Sequence, residues 1–114
     1  MLFRSHVTYV LYPGLSWHRG HALAAKQMRG FGTVLSFELA AGPAAAERLC
    51  NATHVFANAT SLGGVESLME VRGNRESERA MGTPEALIRV SAGIEHGPDL
   101  IADLTQALAI AHQG

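Results

Sequence analysis

Leu87-Ile88-Arg89-Val90-Ser91-Ala92-Gly93-Ile94-Glu95 changes period at its end, and that change decides the fold. From Leu87 to Ala92 the residues alternate. Ile88, Val90 and Ala92 fall on one face and Leu87, Arg89 and Ser91 on the other, the signature of a half-buried strand. Beyond Pro98 the spacing becomes helical, and Leu100, Ile101, Leu104, Leu108 and Ala111 form one broad apolar stripe. A one-faced strand followed by a one-striped helix predicts a helix lying on a sheet, with Leu104 and Leu108 buried against it.

Working outward, the same rules place the other elements. His6 to Leu11 reads as a strand with Val7, Tyr9 and Leu11 on one side, ended by Tyr12-Pro13-Gly14. Arg19 to Arg29 is rich in helix formers and stops at Gly30. Thr33 to Leu39 reads as a second strand, and Pro43 opens a helix with Ala45, Leu49 and Ala52 on one side. Val55 to Ala59 is a third strand, running into Gly63-Gly64, where the backbone needs torsions a side chain resists or something approaches closely. Glu66 to Val71 makes a short further strand. Arg72 to Thr83 alternates Arg and Glu without an apolar period and reads as a solvated loop. The expected fold class is α/β (α+β): a two-layer sandwich with a mixed, mostly antiparallel sheet of about four or five strands and helices mainly on one face. Residues 1–114 form a single domain without internal repeat or linker.

The 47% apolar and 17% charged residues are globular values, and a formal charge of -1 gives no field to draw nucleic acid or an anionic membrane. No apolar run reaches the length of a membrane span, and no secretory signal opens the chain, so a cytoplasmic protein is expected. Cys50 is the one cysteine and reads as core packing on a helix. Asn51-Ala52-Thr53 and Asn58-Ala59-Thr60 match a glycosylation pattern that carries little weight without such a signal.

The residues themselves offer modest chemistry. Arg89, on a strand beside Ser91, is able to hold a carboxylate by two parallel N–H bonds, helped by backbone N–H groups at Gly63 and Gly64. The bland alternative is that Arg89 lies on a solvated face or pairs with an internal acid. Glu66 and Ser67 either orient Arg89 or are ordinary strand-surface residues. His18 and His21 lack a third ligand nearby, and His6, His54, His96 and His112 are scattered, so no metal site is expected. No phosphate loop, Ser-His-Asp order or Cys-His pair stands out.

Several motifs coincide in order: Tyr12-Pro13-Gly14-Leu15, Ala25-Lys26-Gln27-Met28 through Ser36-Phe37-Glu38-Leu39, Ser61-Leu62-Gly63-Gly64, and Leu87 through Leu108. Over roughly residues 7 to 112 the chain resembles the C-terminal domain of the pyridoxal-phosphate (PLP) enzymes of cysteine and methionine metabolism, the cystathionine synthases and lyases. The resemblance implies that Arg89 binds the substrate α-carboxylate, that Ser61 and Leu62 line the same pocket, and that Thr60 stands at the specificity position, where many γ-acting members have glutamate. It also implies that Arg72-Gly73-Asn74-Arg75-Glu76 replaces the family's Met-Thr-His element.

PLP chemistry needs a Schiff-base lysine and a carboxylate on the pyridine nitrogen, and the family carries both in its large domain. The only lysine here, Lys26, matches an accessory-domain lysine on a helix surface. The resemblance therefore implies no catalytic or cofactor-binding residue in this chain, no cofactor bound by it alone, and an isolated domain without activity. It further implies a homo-oligomer, with Tyr12, Leu15 and Ser61 to Gly64 at the contact edge, or association with the family's large PLP domain. The alternatives are a stand-alone interaction or dimerisation module and a small enzyme of unrecognised mechanism.

Overall fold

The computed structural model describes residues 6–112. In chain order these form β1 (Val7–Leu11), α1 (His21–Gln27), β2 (Val34–Leu39), α2 (Pro43–Ala52), β3 (Ala57–Asn58), β4 (Leu68–Val71), α3 (Glu76–Ala80), β5 (Leu87–Ser91) and α4 (Gly97–Ala111). The strands make one 5-stranded sheet in the order β1-β2-β5-β4-β3, antiparallel except where β3 meets β4. This is the mixed, mostly antiparallel sheet that the alternation at Ile88 and Val90 predicts.

Register sorts the two faces. Val10, Phe37, Ile88 and Val71 stand in one row across the sheet, and Leu35, Val90 and Met69 in another. These rows face α2 and α4 and form the core with Ala45, Ala46, Leu49, Cys50, Ala107, Leu108 and Ala111. Alanines at the α2–α4 contact let the two helices approach each other closely. The interleaved row, Leu11, Ser36, Arg89 and Glu70, turns to the opposite face. A strand with period two cannot place Ile88 in the core without turning Arg89 away from it.

Local departures from the sequence reading have local causes. A register irregularity between Val7 and Tyr9 breaks the alternation in β1, so Val7 and Val10 pack on the core while Leu11 is 45% exposed. The helix expected over Arg19 to Arg29 is shorter, His21 to Gln27, and buries no residue. The strand expected from Val55 contracts to Ala57–Asn58 because the N–H groups of His54, Val55 and Phe56 turn to the Asp103 carboxylate. The predicted loop after Arg72 contains α3, whose Glu76 and Glu78 in the first turn and Arg79 in the last complement the helix dipole. In α4 the expected stripe shifts: Ile101 is 60% exposed, Asp103 is buried in its place, and Leu104 is only partly buried. Leu104 stands over an apolar groove floored by Val7, Val10, Leu35 and Phe37, where the helices leave the β1–β2 side of the sheet partly uncovered.

Cys50 is 2% exposed on α2, as its reading as a core residue requires. Burial, with Glu47 and Glu70 adding to it, pushes the thiol up to about 12, so it stays protonated and unreactive at neutral pH.

Candidate functional site

The polar face of the sheet carries the chemistry, and Arg89 stands at its centre. Cross-strand register puts Arg89 of β5 directly opposite Glu70 of β4 on one side and Ser36 of β2 on the other. Arg89 Nη2 lies 2.8 Å from Glu70 Oε1, and the two side chains are 18% and 6% exposed. Glu70 is shared further: Arg72 Nη1 donates to its Oε1 at 2.9 Å and Arg75 Nη2 to its Oε2 at 3.0 Å. Arg72 Nη2 in turn donates to Glu78 Oε1 at 2.8 Å, and Thr83 Oγ1 to Glu78 Oε2 at 2.8 Å. The Arg72 and Thr83 hydrogen bonds hold the Glu78 carboxyl below its ordinary range.

The segment Thr60 to Glu66 crosses this face. Arg89 Nη2 donates to the Thr60 carbonyl at 2.7 Å and, more weakly, to that of Ser61 at 3.4 Å. Gly63 takes φ +79, a torsion only glycine adopts at no cost, and its N–H donates to Ser91 Oγ at 2.8 Å. The far end of the segment is clamped by Ser67, which donates from Oγ to Glu95 Oε1 at 2.6 Å and from N to Oε2 at 3.1 Å. These bonds hold the Glu95 carboxyl below its ordinary range. Ser67 Oγ also accepts from Gly93 N at 2.8 Å, and Ile94 N donates to the Val65 carbonyl at 3.0 Å. A methyl at Gly93 would collide with that carbonyl, so the close crossing requires glycine there.

Arg89, Thr60 and Ser61 are thus brought together, while Leu62 points into solvent at 52% exposure. Arg89 does pair with an internal acid, and that acid is Glu70. Glu66 is exposed and Ser67 is engaged with Glu95 and Gly93, so neither orients Arg89. Nothing local in the sequence marks Glu70 as the partner of Arg89; only the pairing of β4 with β5 joins them. Its one legible trace is its place between the core residues Met69 and Val71, which assigns it to the opposite face. Arg72 and Arg75, expected in a solvated loop, fold back onto it. A cleft of about 300 Å³ opens beside the cluster, lined by Asn58, Thr60, Glu70, Asn74 and Arg75 among others.

A model of the family described as Cys/Met metabolism PLP-dependent enzyme matches residues 3–109. The chain belongs to this family. It is 50% identical over 106 residues to the cystathionine gamma-synthase of Mycobacterium leprae, covering 90% of this chain and 27% of that protein. It is 41% identical over 106 residues to the L-methionine gamma-lyase of Fusobacterium nucleatum, covering 87% of this chain and 27% of that one. Among solved structures, a cystathionine gamma synthase from Xanthomonas oryzae in complex with aminoacrylate and cysteine matches with a TM-score of 0.88 at 41% identity, over 96% of this chain and 30% of that chain. The chain therefore spans less than a third of the length of these relatives.

Lys26 does not fit the part of the family's Schiff-base lysine. It is exposed on α1, a helix that buries no side chain, so its amine stands at the surface and not in an enclosed cradle. No helix among the described residues is long and apolar enough to cross a membrane.

Proposed function

We propose that this chain is the substrate-carboxylate domain, the C-terminal part, of a PLP-dependent enzyme resembling the cystathionine synthases and lyases, without turnover on its own. In this reading Arg89 receives the α-carboxylate of a sulfur amino acid, the Ser61–Leu62 segment bounds its pocket, and Thr60 sits where the reaction type is tuned. The observation that carries it is the state of Arg89: partly exposed, and among the described residues held at Nη2 by the Thr60 and Ser61 carbonyls and by Glu70. Backbone carbonyls that grip the guanidinium at one edge set the direction in which it faces a ligand, which is what orienting a carboxylate requires. Orientation without an electron sink gives no catalysis, and PLP held by the family's large domain would supply that sink.

The test is spectroscopic. L-cystathionine added to the purified chain is expected to shift the Arg89 Nε–H signal saturably, with that response absent in Arg89→Ala. The chain mixed with PLP and L-cystathionine is expected to give no turnover. Turnover by the chain alone, or an Arg89 signal indifferent to every amino acid tried, would overturn the reading.

The same reading gives the chain a protein partner. Leu11 and Trp17 are 45% and 74% exposed and line one cleft with Tyr9 and Val10. Apolar side chains of this size at a surface mark a contact face, and a two-fold homodimer is its simplest cover. Sedimentation is expected to show a dimer at micromolar concentration that Trp17→Ser weakens. A clean monomer over about a hundredfold range of concentration would end this part of the proposal.

A further inference from the structure

Arg89 meets a carboxylate before any ligand arrives. A guanidinium offers two forks to a carboxylate, Nε–H with Nη2–H along its side and Nη1–H with Nη2–H across its end, and Nη2 belongs to both. Here Nη2 is ringed by oxygens: Thr60 O at 2.7 Å, Glu70 Oε1 at 2.8 Å and Ser61 O at 3.4 Å. Of these, Glu70 alone brings a negative charge, and it is nearly buried. A second carboxylate seated on either fork would lie beside Glu70, and like charges at that range repel strongly away from bulk water.

The surroundings of Glu70 make its withdrawal feasible. Were it to leave Arg89, Arg72 Nη1 at 2.9 Å and Arg75 Nη2 at 3.0 Å would still neutralise it, so no buried charge is stranded. The adjoining cleft, lined by Glu70, Thr60 and Asn58, gives the side chain space to turn. Within the ion-paired cluster, Arg72, Arg75 and Arg89 oppose Glu70 and Glu78, which leaves one positive charge for an incoming anion to balance.

We propose that Glu70 is an internal carboxylate which a ligand carboxylate must displace from Arg89, so that Glu70 sets the affinity of this site. The proposal rests on Arg89 being the carboxylate reader. Its sign separates it from a purely structural role. Were Glu70 only a prop, neutralising it would loosen Arg89 and weaken binding or leave it unchanged. As a competitor, its neutralisation strengthens binding.

Acetate and L-cystathionine are titrated into the chain and into Glu70→Gln, with the Arg89 Nε–H signal as readout and thermal melting as a check on folding. Glu70→Gln is expected to bind both about tenfold more tightly, the order of effect of removing one like charge from the site. A second measurement needs no variant: in the parent chain the Glu70 side-chain carboxyl carbon signal should move with the Arg89 signal along the same binding curve. An Arg89 response with a stationary Glu70 signal, or equal or weaker binding by a folded Glu70→Gln, overturns the exchange while leaving Arg89 as the reader. No Arg89 response in either protein removes the reader, and this proposal with it.

Discussion

Asp103→Ala is expected to destabilise the fold by about 3 kcal/mol or more, although it places the best helix former in the middle of a helix. The Asp103 side chain, buried on α4, accepts from the N–H groups of His54 at 2.8 Å, Val55 at 2.7 Å and Phe56 at 3.0 Å, and from Gln106 Nε2 at 3.1 Å. Truncation leaves three backbone donors without an acceptor, and the Phe56 bond at least is shut away from water. For a domain of this size the midpoint should fall by roughly 12 °C, measured by circular dichroism. A loss under 1 kcal/mol would mean that water replaces the carboxylate without cost.

The same residue gives the fold an acid limb. Burial alone would raise the Asp103 carboxyl, but the three backbone N–H groups and Gln106 outweigh it and hold the group below the ordinary aspartate value of 3.8. A depressed folded value means that the stabilisation is complete above about pH 4 to 5 and drains away as pH falls through the folded value. Asp103→Asn is therefore expected to be less stable than the parent at pH 7 and to show a shallower loss below pH 4. Parallel pH profiles for the two proteins would assign the acid limb to other carboxylates.

Leu108→Ala is expected to cost about 2–5 kcal/mol, and Leu104→Ala distinctly less. Both lie in the helical stripe that the sequence displays, yet Leu108 is 1% exposed within the core while Leu104 lies at the edge of the apolar groove. A cavity opens only where neighbours cannot relax or water cannot enter, and the groove at Leu104 is open on one side. Urea melts on the two variants provide the comparison. Equal losses would show that Leu104 is covered in solution, by a second copy of the chain for instance.

The periods of the chain determined a good deal by themselves. Alternation at Ile88, Val90 and Ala92 fixed β5 and its two faces, proline and glycine marked where α2 and the Gly63 turn begin, and ordered motifs from Tyr12 to Leu108 carried the family. These signals are local, because the conformation of a residue and the face it presents depend on neighbours a few positions away. What only the tertiary structure decided is which distant groups meet. Glu70 faces Arg89 because β4 pairs with β5 in one register, and a shift of one residue would set Met69 there instead. Asp103 gains its role only when α4 is laid across the loop from His54 to Phe56, whose N–H groups it satisfies. Arg72 and Arg75 look like a solvated run because charge has no period, yet both guanidinium groups reach Glu70, a nearly buried carboxylate that needs partners water cannot supply there.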